Sequence, residues 1–542
     1  MNPMRATALL SGTILLARII GFVQQIIINR LLPETPNAAY GQAFVLPDFV
    51  SYLVAGGAIS VTFIPLFTQL KNDGDERAAW RFFSTVATLM GSVLLALIVI
   101  AWIFADPLVR LTSPGFNPTN YPEKAKVFAL TVQMTRIFLP AQLFFYLGGM
   151  IVGVLNAHKR FGASGLTSAI YNIVAIAVAL GLWTLTGDPL SFAWGILLGA
   201  FCGNFLLPFL ASRRGPREER LQFRLGLDWN QPGVKRFFRN ALPIMLGVSL
   251  PVVDQIVVSM FASYLEPSEI RNLKSGNRFM VGPMAMLAQA ASVAAFPFMA
   301  SDSVAKKWDK LSDFLRSGLR RLMFLSLPMS ALLIVLARPL LNLTVGGKFT
   351  AADAAETSVA FAFYCIGIFA WTGQQFVARG FYALQDTRTP TIIGSVLTVF
   401  FFVPLCWLAV HSTHPILALA MATSVGATAH FVGILIALDK RLSGRRYNAP
   451  LHPERVMGTI LRTLAACVPM AIAGLFANSL LSLFFGDGYT GGASEIAPHK
   501  WHEIIRIVLV TAVALPVFAL AAGAFRIPEW RWIASKIKQR LR

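Results

Sequence analysis

Residues 6–32, ATALLSGTILLARIIGFVQQIIINRLL, are long enough to cross a bilayer yet carry Arg18 near the middle. A run of about 20 apolar residues spans the hydrocarbon, and an arginine at its centre costs about 2.5–3.5 kcal/mol on insertion scales. At 100° per residue Ser11, Arg18, Gln25 and Asn29 fall within about 40° of one another, with Gly21 close by. One face of this helix is therefore polar along its length. Lipid cannot satisfy such a face, so it must look at protein or at a water-filled cavity. Two readings of Arg18 stay open: it lines a cavity, or it snorkels and pairs with a neighbouring carbonyl.

The rest of the chain has membrane composition. Of 542 residues 56% are hydrophobic and 13% charged, 42 are phenylalanine, and mean hydropathy is +0.62, which excludes an ordinary soluble domain. The net charge of +21 sits mainly between apolar runs, so it reads as topology signals and contacts to anionic membrane lipids. No nucleic-acid motif accompanies it. Cys202, Cys365, Cys406 and Cys467 lie inside apolar segments without paired spacing, so neither a disulfide framework nor a metal site is expected. Arg18 interrupts the first apolar run and no small-residue cleavage site follows, which argues against a cleavable leader.

Hydropathy marks about fourteen candidate spans, running from 6–32 and 41–68 through to 456–483 and 502–524. An even number puts both termini on one side. With the termini in the cytoplasm, about 32 Lys and Arg fall in cytoplasmic segments and about 8 in outer loops. The expected fold is an all-α integral membrane protein with about 14 transmembrane helices in two pseudo-symmetric six-helix lobes plus a C-terminal helix pair. Ala105-Asp106-Pro107-Leu108, Leu111-Thr112 and Gly115 recur as Ala337-Arg338-Pro339-Leu340, Leu343-Thr344 and Gly347, at an offset of 232. Ala58, Ser60, Val61 and Pro65 recur as Ala290, Ser292, Val293 and Pro297 at the same offset. The expected division is an N-lobe over 1–212, a basic cytoplasmic linker over 213–239, a C-lobe over 240–438, and helices 13 and 14 with a basic tail over 439–542. Two repeats enclosing a substrate path and rocking about it are a recurring transporter plan. Helices 13 and 14 fall outside the repeat and read as an added element facing lipid.

Helix breakers and small residues sit where a moving bundle would use them. Pro47 opens the second span, Ala55-Gly56-Gly57-Ala58 allows close backbone approach, and Pro243 and Pro251 bracket Gly247 before Asp254. These stay equally open as ordinary kinks. Asp254 is the deepest acid of the second lobe, suited to pairing, to holding a coupling ion, or to a structural hydrogen bond. Arg278, Arg379 and Arg136 are the other cations that could face inward. Guanidinium groups bind phosphate through two hydrogen bonds, so Arg18 and Arg278 together suit an anionic headgroup. Asp48, beside Pro47, reads as a helix-start residue. His158 and His430 stand isolated. No phosphate-cradling loop, nucleophile elbow or metal-binding helix is present, so the chain reads as no enzyme and carries no ATPase of its own.

Several stretches resemble the MurJ (MviN) family of lipid II flippases, within the superfamily that also holds multidrug and polysaccharide exporters. They are Phe381-Tyr382-Ala383-Leu384-Gln385-Asp386-Thr387-Arg388-Thr389-Pro390, Gly153 to Ala157 with Arg160-Phe161, Leu46-Pro47, Ala55 to Ala58 with Phe63-Ile64-Pro65, and Ala17-Arg18 with Gly21. The resemblance implies two lobes around a cationic cavity for a disaccharide-pyrophosphate headgroup, with helices 13 and 14 bordering a groove for the polyprenyl tail. Of the inward arginines it implies, Arg18 and Arg278 stand at matching positions; together with the polar face of the first helix this makes Arg18, Arg278, Gln25, Asn29 and Ser51 the headgroup candidates, Asp254 the coupling or ion-pair candidate, and Gly21, Gly56, Gly57 and Pro251 the small or kinked gating positions. The chain departs from the family pattern at Gln24-Gln25, where arginine then aspartate is usual, and at Ser51 and Gly56, where arginine and glutamate are usual. Some relatives have a sodium site using an acid in helix 7 with Asn and Asp in helix 11; here Asp254 matches the first, but helix 11 offers only Ser395 and Thr398. No cofactor is therefore expected, and coupling to Na+ or H+ stays open. The implied activity is movement of an undecaprenyl-pyrophosphate-linked peptidoglycan precursor, lipid II, to the outer leaflet of the bacterial inner membrane. Its alternatives are a paralogue for another polyprenyl-diphosphate sugar and a transport-inactive scaffold. Partners implied are lipid II, membrane lipids and cell-wall synthesis proteins.

Overall fold

The computed structural model describes residues 3–55, 62–116, 122–158, 160–214, 220–248, 250–485, 496–531 and 535. The described residues are overwhelmingly helical, and ten of their helices are long and apolar enough to cross a membrane. By contacts the chain forms two compact units, Met1–Ile28 with Leu32–Pro267, and Asn29–Leu31 with Ser268–Arg542. The seventh span therefore packs with the first unit rather than the second.

The first unit opens with α1 (Pro3–Leu31), α2 (Glu34–Ala43), α3 (Val45–Ala55) and α4 (Ile64–Asn72). It continues through α5 (Glu76–Ile103), α6 (Ala105–Thr112), α7 (Pro122–Ala157) and α8 (Phe161–Thr186). Next come α9 (Leu190–Gly199), a π-helical turn at Ala200–Leu206, α10 (Leu207–Ser212), α11 (Pro232–Val248) and α12 (Leu250–Ala262). Asp75 caps α5 by accepting the Ala78 N–H at 2.8 Å, satisfying one donor left unpaired by helix geometry. The core is aromatic: Phe63, Phe67, Trp80, Phe82 and Phe83 pack with Tyr146, Met150 and Val154 of α7. Inside lipid, association depends on packing rather than on water exclusion, and small residues let backbones meet. Gly195, Gly199 and Gly203, at four-residue spacing, lie directly against the backbone of α8 at Tyr171 and Ala175. A methyl group at these sites would strike backbone.

The second unit comprises α13 (Pro267–Val304), α14 (Trp308–Val335), α15 (Ala337–Asn342), α16 (Ala351–Ile366) and α17 (Ile368–Ala383). It ends with α18 (Arg388–Leu397), a π-helical turn at Thr398–Phe402, α19 (Val403–Val410), α20 (Pro415–Ser443), α21 (Pro453–Phe485) and α22 (Ile496–Ala524). Leu311, Leu315, Leu319 and Leu322 form a stripe on α14 that packs with Phe376, Phe381, Leu438, Met470 and Phe518. The repeat is visible here. α5 and α14 are each 28 residues long, begin and end 232 residues apart, and are followed after one residue by the short helices α6 and α15.

The turn Gln385-Asp386-Thr387-Arg388-Thr389 has a local physical basis. Gln385 takes a positive φ of 59°, and the Asp386 carboxylate accepts the Thr389 N–H at 3.0 Å and hydroxyl at 2.8 Å. The C-terminal helix pair is largely exposed along its apolar windows and is also anchored by polar contacts. Glu529, after α22, pairs with Arg320 of α14 at 2.8 Å, and Asn342 of α15 donates to the buried Glu503 of α22 at 2.6 Å. Both ends of α22 are thus tied to the repeat helices.

Candidate functional site

Each unit brings together part of the expected residue set. In the first, Arg18 is half-buried on α1 and makes no hydrogen bond or ion pair among the described residues. Asn172 of α8 donates from Nδ2 to the Ala17 carbonyl at 3.0 Å, and Gly21 faces the same amide. This contact holds α1 immediately beside Arg18. Gln25, two turns on, is buried. Ser51 on α3 and Asp254 on α12 are half-buried, and their two helices pack together. Gln42 ties α2 to α12 as well, donating to the Ser259 carbonyl at 2.9 Å. Gly56 and Gly57 lie outside the described residues, as does the side chain of Pro251.

In the second unit Asn29 is fully buried, and its Oδ1 accepts the Ser275 hydroxyl at 3.1 Å. Arg278, half-buried, follows Ser275 by three residues on α13. Arg271, Lys274 and Arg278 share one face of that helix by their spacing. Sequence reasoning singled out only Arg278 of these three. The structure gives Arg271 a separate role: it is completely buried, pairs with Asp353, donates to the Lys348 carbonyl at 3.3 Å and lies 5.4 Å from the Phe349 ring centroid. Asp353 is itself fixed by a capping box with Thr350 at the start of α16.

The C-terminal end of α1 is locked into the same region. Arg30 donates to the carbonyls of Leu343 at 2.8 Å and Thr344 at 3.0 Å, and its own carbonyl accepts the Lys348 N–H at 2.8 Å. Gly347 makes this possible, since its φ is +59° and its α-carbon faces the Arg30 carbonyl. The signals were present in sequence: Gly346-Gly347 announces a turn, and Thr350 with Asp353 a helix start.

Other candidates resolve differently. Arg136 pairs with Asp106 at 2.9 Å and covers the Trp102 ring, with both charged groups substantially exposed. Arg379 stacks on Phe296 at 5.7 Å. Each histidine has a local structural partner: His158 stacks on Trp80 and bonds the Val154 carbonyl, while His430 meets Thr398 at 3.4 Å. Asp48 lies in the first turn of α3, as a helix-start residue should.

A chain whose described residues are overwhelmingly helical, with an internal repeat and ten helices long and apolar enough to cross a membrane, has the build of a multi-pass membrane protein. A family model described as lipid II flippase MurJ matches residues 29–490. The chain belongs to the MurJ family. It is 28% identical to the lipid II flippase MurJ of Burkholderia cenocepacia over 81% of this chain and 84% of that one. A probable lipid II flippase MurJ of Buchnera aphidicola is 24% identical, over 91% and 96% of the two chains. Among solved structures, a lipid II flippase MurJ in an inward closed conformation superimposes with a TM-score of 0.66 at 20% identity, over 93% of this chain and 98% of that one. An inward-facing multidrug resistance MATE family transporter of the MOP superfamily gives 0.64 at 14% identity, over 79% and 94%. These two likenesses concern the fold.

Proposed function

We propose that the protein carries lipid II from the cytoplasmic to the outer leaflet of the bacterial inner membrane by alternating access. Family membership supports the reading, and the observation that carries it is Arg18, half-buried on the long helix α1 with no hydrogen bond or ion pair among the described residues. A disaccharide-pyrophosphate cannot cross hydrocarbon unaided, whereas its polyprenyl tail need never leave it. Arg18 and Arg278 supply charge-assisted, two-pronged hydrogen bonds to the pyrophosphate. Gln25, Asn29 and Ser51 supply neutral donors and acceptors for the sugar. Asp254 serves as the coupling or ion-pairing acid, and Gly21, Gly56, Gly57 and Pro251 give α1, the second span and the seventh span room to move. Both termini face the cytoplasm, which places the Arg30 end of α1 at the outer surface. That orientation rests on about 32 cationic residues in cytoplasmic segments against about 8 in outer loops. Movement then draws on an ion gradient, the membrane potential or consumption of product.

The test is flipping of labelled lipid II in vesicles containing the purified protein, with and without a membrane potential. Protein-dependent transfer that is lost in Arg18→Ala is expected. Transfer equal to that of empty vesicles, from protein shown to be folded, would overturn the proposal in favour of another polyprenyl-diphosphate sugar or a scaffold role.

A further inference from the structure

The repeat permits a position-by-position comparison that exposes a second site. In the first unit, the face of α5 near its N-terminus is covered by the chain's own segment 221–231. Ser84 Oγ donates to the Gln222 carbonyl at 3.4 Å and accepts the Arg224 N–H at 3.2 Å, and Gln231 donates to the Ala78 carbonyl at 2.9 Å. At the matching stretch of α14 the second unit's own segment bonds Ser312 through the Pro450 carbonyl and Arg320 through the Thr459 hydroxyl, and the described residues leave beside it a groove of about 500 Å³ lined by Asp302, Lys310, Asp313, Phe314, Arg316 and Arg320, with Ser317. At the 232-residue offset these charged positions correspond to Leu70, Ala78, Arg81, Ser84 and Thr88. Four of the five are uncharged in the first unit and the fifth has the opposite sign, whereas Phe314 matches Phe82. The groove is thus a specific departure from the repeat.

Its chemistry is doubly charged. Arg316 pairs with Asp313, and Arg320 with Glu529 and the Thr459 hydroxyl, so the guanidiniums are held in place, while Lys310 and the Asp302 carboxylate make no ion pair among the described residues. The aromatic pair of Phe314 and exposed Phe298, with centroids 6.1 Å apart, forms an apolar flank. The apolar run of α14 begins at Leu322, immediately after Arg320 and Arg321. These residues stand where a membrane-spanning helix meets the headgroup layer.

We infer that this groove binds a zwitterionic aminophospholipid headgroup, a phosphoethanolamine, with its phosphate at Lys310, Arg316 and Arg320 and its primary ammonium at Asp302 and Asp313. A purely anionic lipid would leave the two carboxylates opposed by like charge. A choline headgroup could not donate hydrogen bonds to them, because its nitrogen carries no proton. The acyl chains extend past Phe298 and Phe314 into the bilayer, which separates a lipid from a soluble phosphoester.

The experiment is lipid binding to the full-length protein, measured by native mass spectrometry from detergent with phosphatidylethanolamine, phosphatidylcholine or phosphatidylglycerol added. Phosphatidylethanolamine is expected to bind about three- to fivefold more tightly than phosphatidylcholine, the scale of two exposed charge-assisted contacts. The double variant Asp302→Asn/Asp313→Asn removes that preference, and Arg316→Ala weakens both lipids while leaving their ratio unchanged. Thermal unfolding equal to that of the parent protein shows that each variant is folded. No preference in the parent protein, a preference that survives the double variant, or tighter binding of phosphatidylglycerol would overturn the inference. Displacement of the lipid by soluble phosphoethanolamine at equal concentration would overturn the lipid assignment, and failure to displace supports it.

Discussion

Arg18 and Arg271 are both arginines on long helices of a membrane protein, and their surroundings make them opposites. Arg271 is fully buried, neutralised by Asp353 and covered by Phe349. Arg18 is half-buried with its guanidinium unengaged among the described residues, while the neighbouring backbone, not the side chain, is pinned by Asn172. A neutralised arginine spends its hydrogen bonds on the fold. An unengaged one leaves them open to a ligand, which is the use proposed for Arg18, at the cost of holding an unneutralised charge on a largely apolar helix.

That contrast can be broken by measuring stability and transport separately. The largest loss of stability is expected for Arg271→Ala or Asp353→Asn, about 3–5 kcal/mol, because each leaves a buried charge or its partner uncompensated. Thermal unfolding in detergent reads this, and an apolar replacement of both partners together should recover most of it. Next comes Gly347→Ala, expected to cost about 1–3 kcal/mol from left-handed backbone strain and collision with the Arg30 carbonyl. A loss indistinguishable from zero would show that the Arg30 clamp is loose. Arg136→Ala should cost only about 0.2–1 kcal/mol, since its pair with Asp106 is exposed on both sides. Arg18→Ala sits at the bottom of the stability scale, within about 0.5 kcal/mol of the parent, yet it should abolish rescue of cells depleted of their own lipid II flippase. Full rescue, or unfolding as severe as that of Arg271→Ala, would erase the distinction between the two arginines.

The same contrast explains what could be read in advance. The repeat at an offset of 232 was legible because Pro107 and Pro339, Gly115 and Gly347 and the surrounding small residues tolerate few substitutes in their turns, and α5 and α14 start and stop in the same register. The polar face of α1 was legible because helical periodicity is local. Arg271, by contrast, looked like any loop-edge cation, and its partner lies 82 positions away at Asp353. The π-helical turns at Ala200–Leu206 and Thr398–Phe402 were likewise invisible in hydropathy, since an extra residue in a turn leaves composition unchanged. Nor did composition reveal that Glu503 and Glu529 tie α22 to α15 and α14.

Sequence by itself determined the solvent this chain folds in, the helical form of its spans, its duplication and the polar stripe carrying Arg18, Gln25 and Asn29. These follow from side-chain transfer energies and from the 3.6-residue period, both properties of neighbouring residues. Only the tertiary structure decided which charges are cancelled and which stay available, because neutralisation depends on a carboxylate brought close by the packing of a distant helix. It also decided what each repeat helix is bonded to: Ser84 of α5 meets the backbone of Gln222 and Arg224, whereas Arg316 and Arg320 at the matching positions of α14 pair with Asp313 and Glu529.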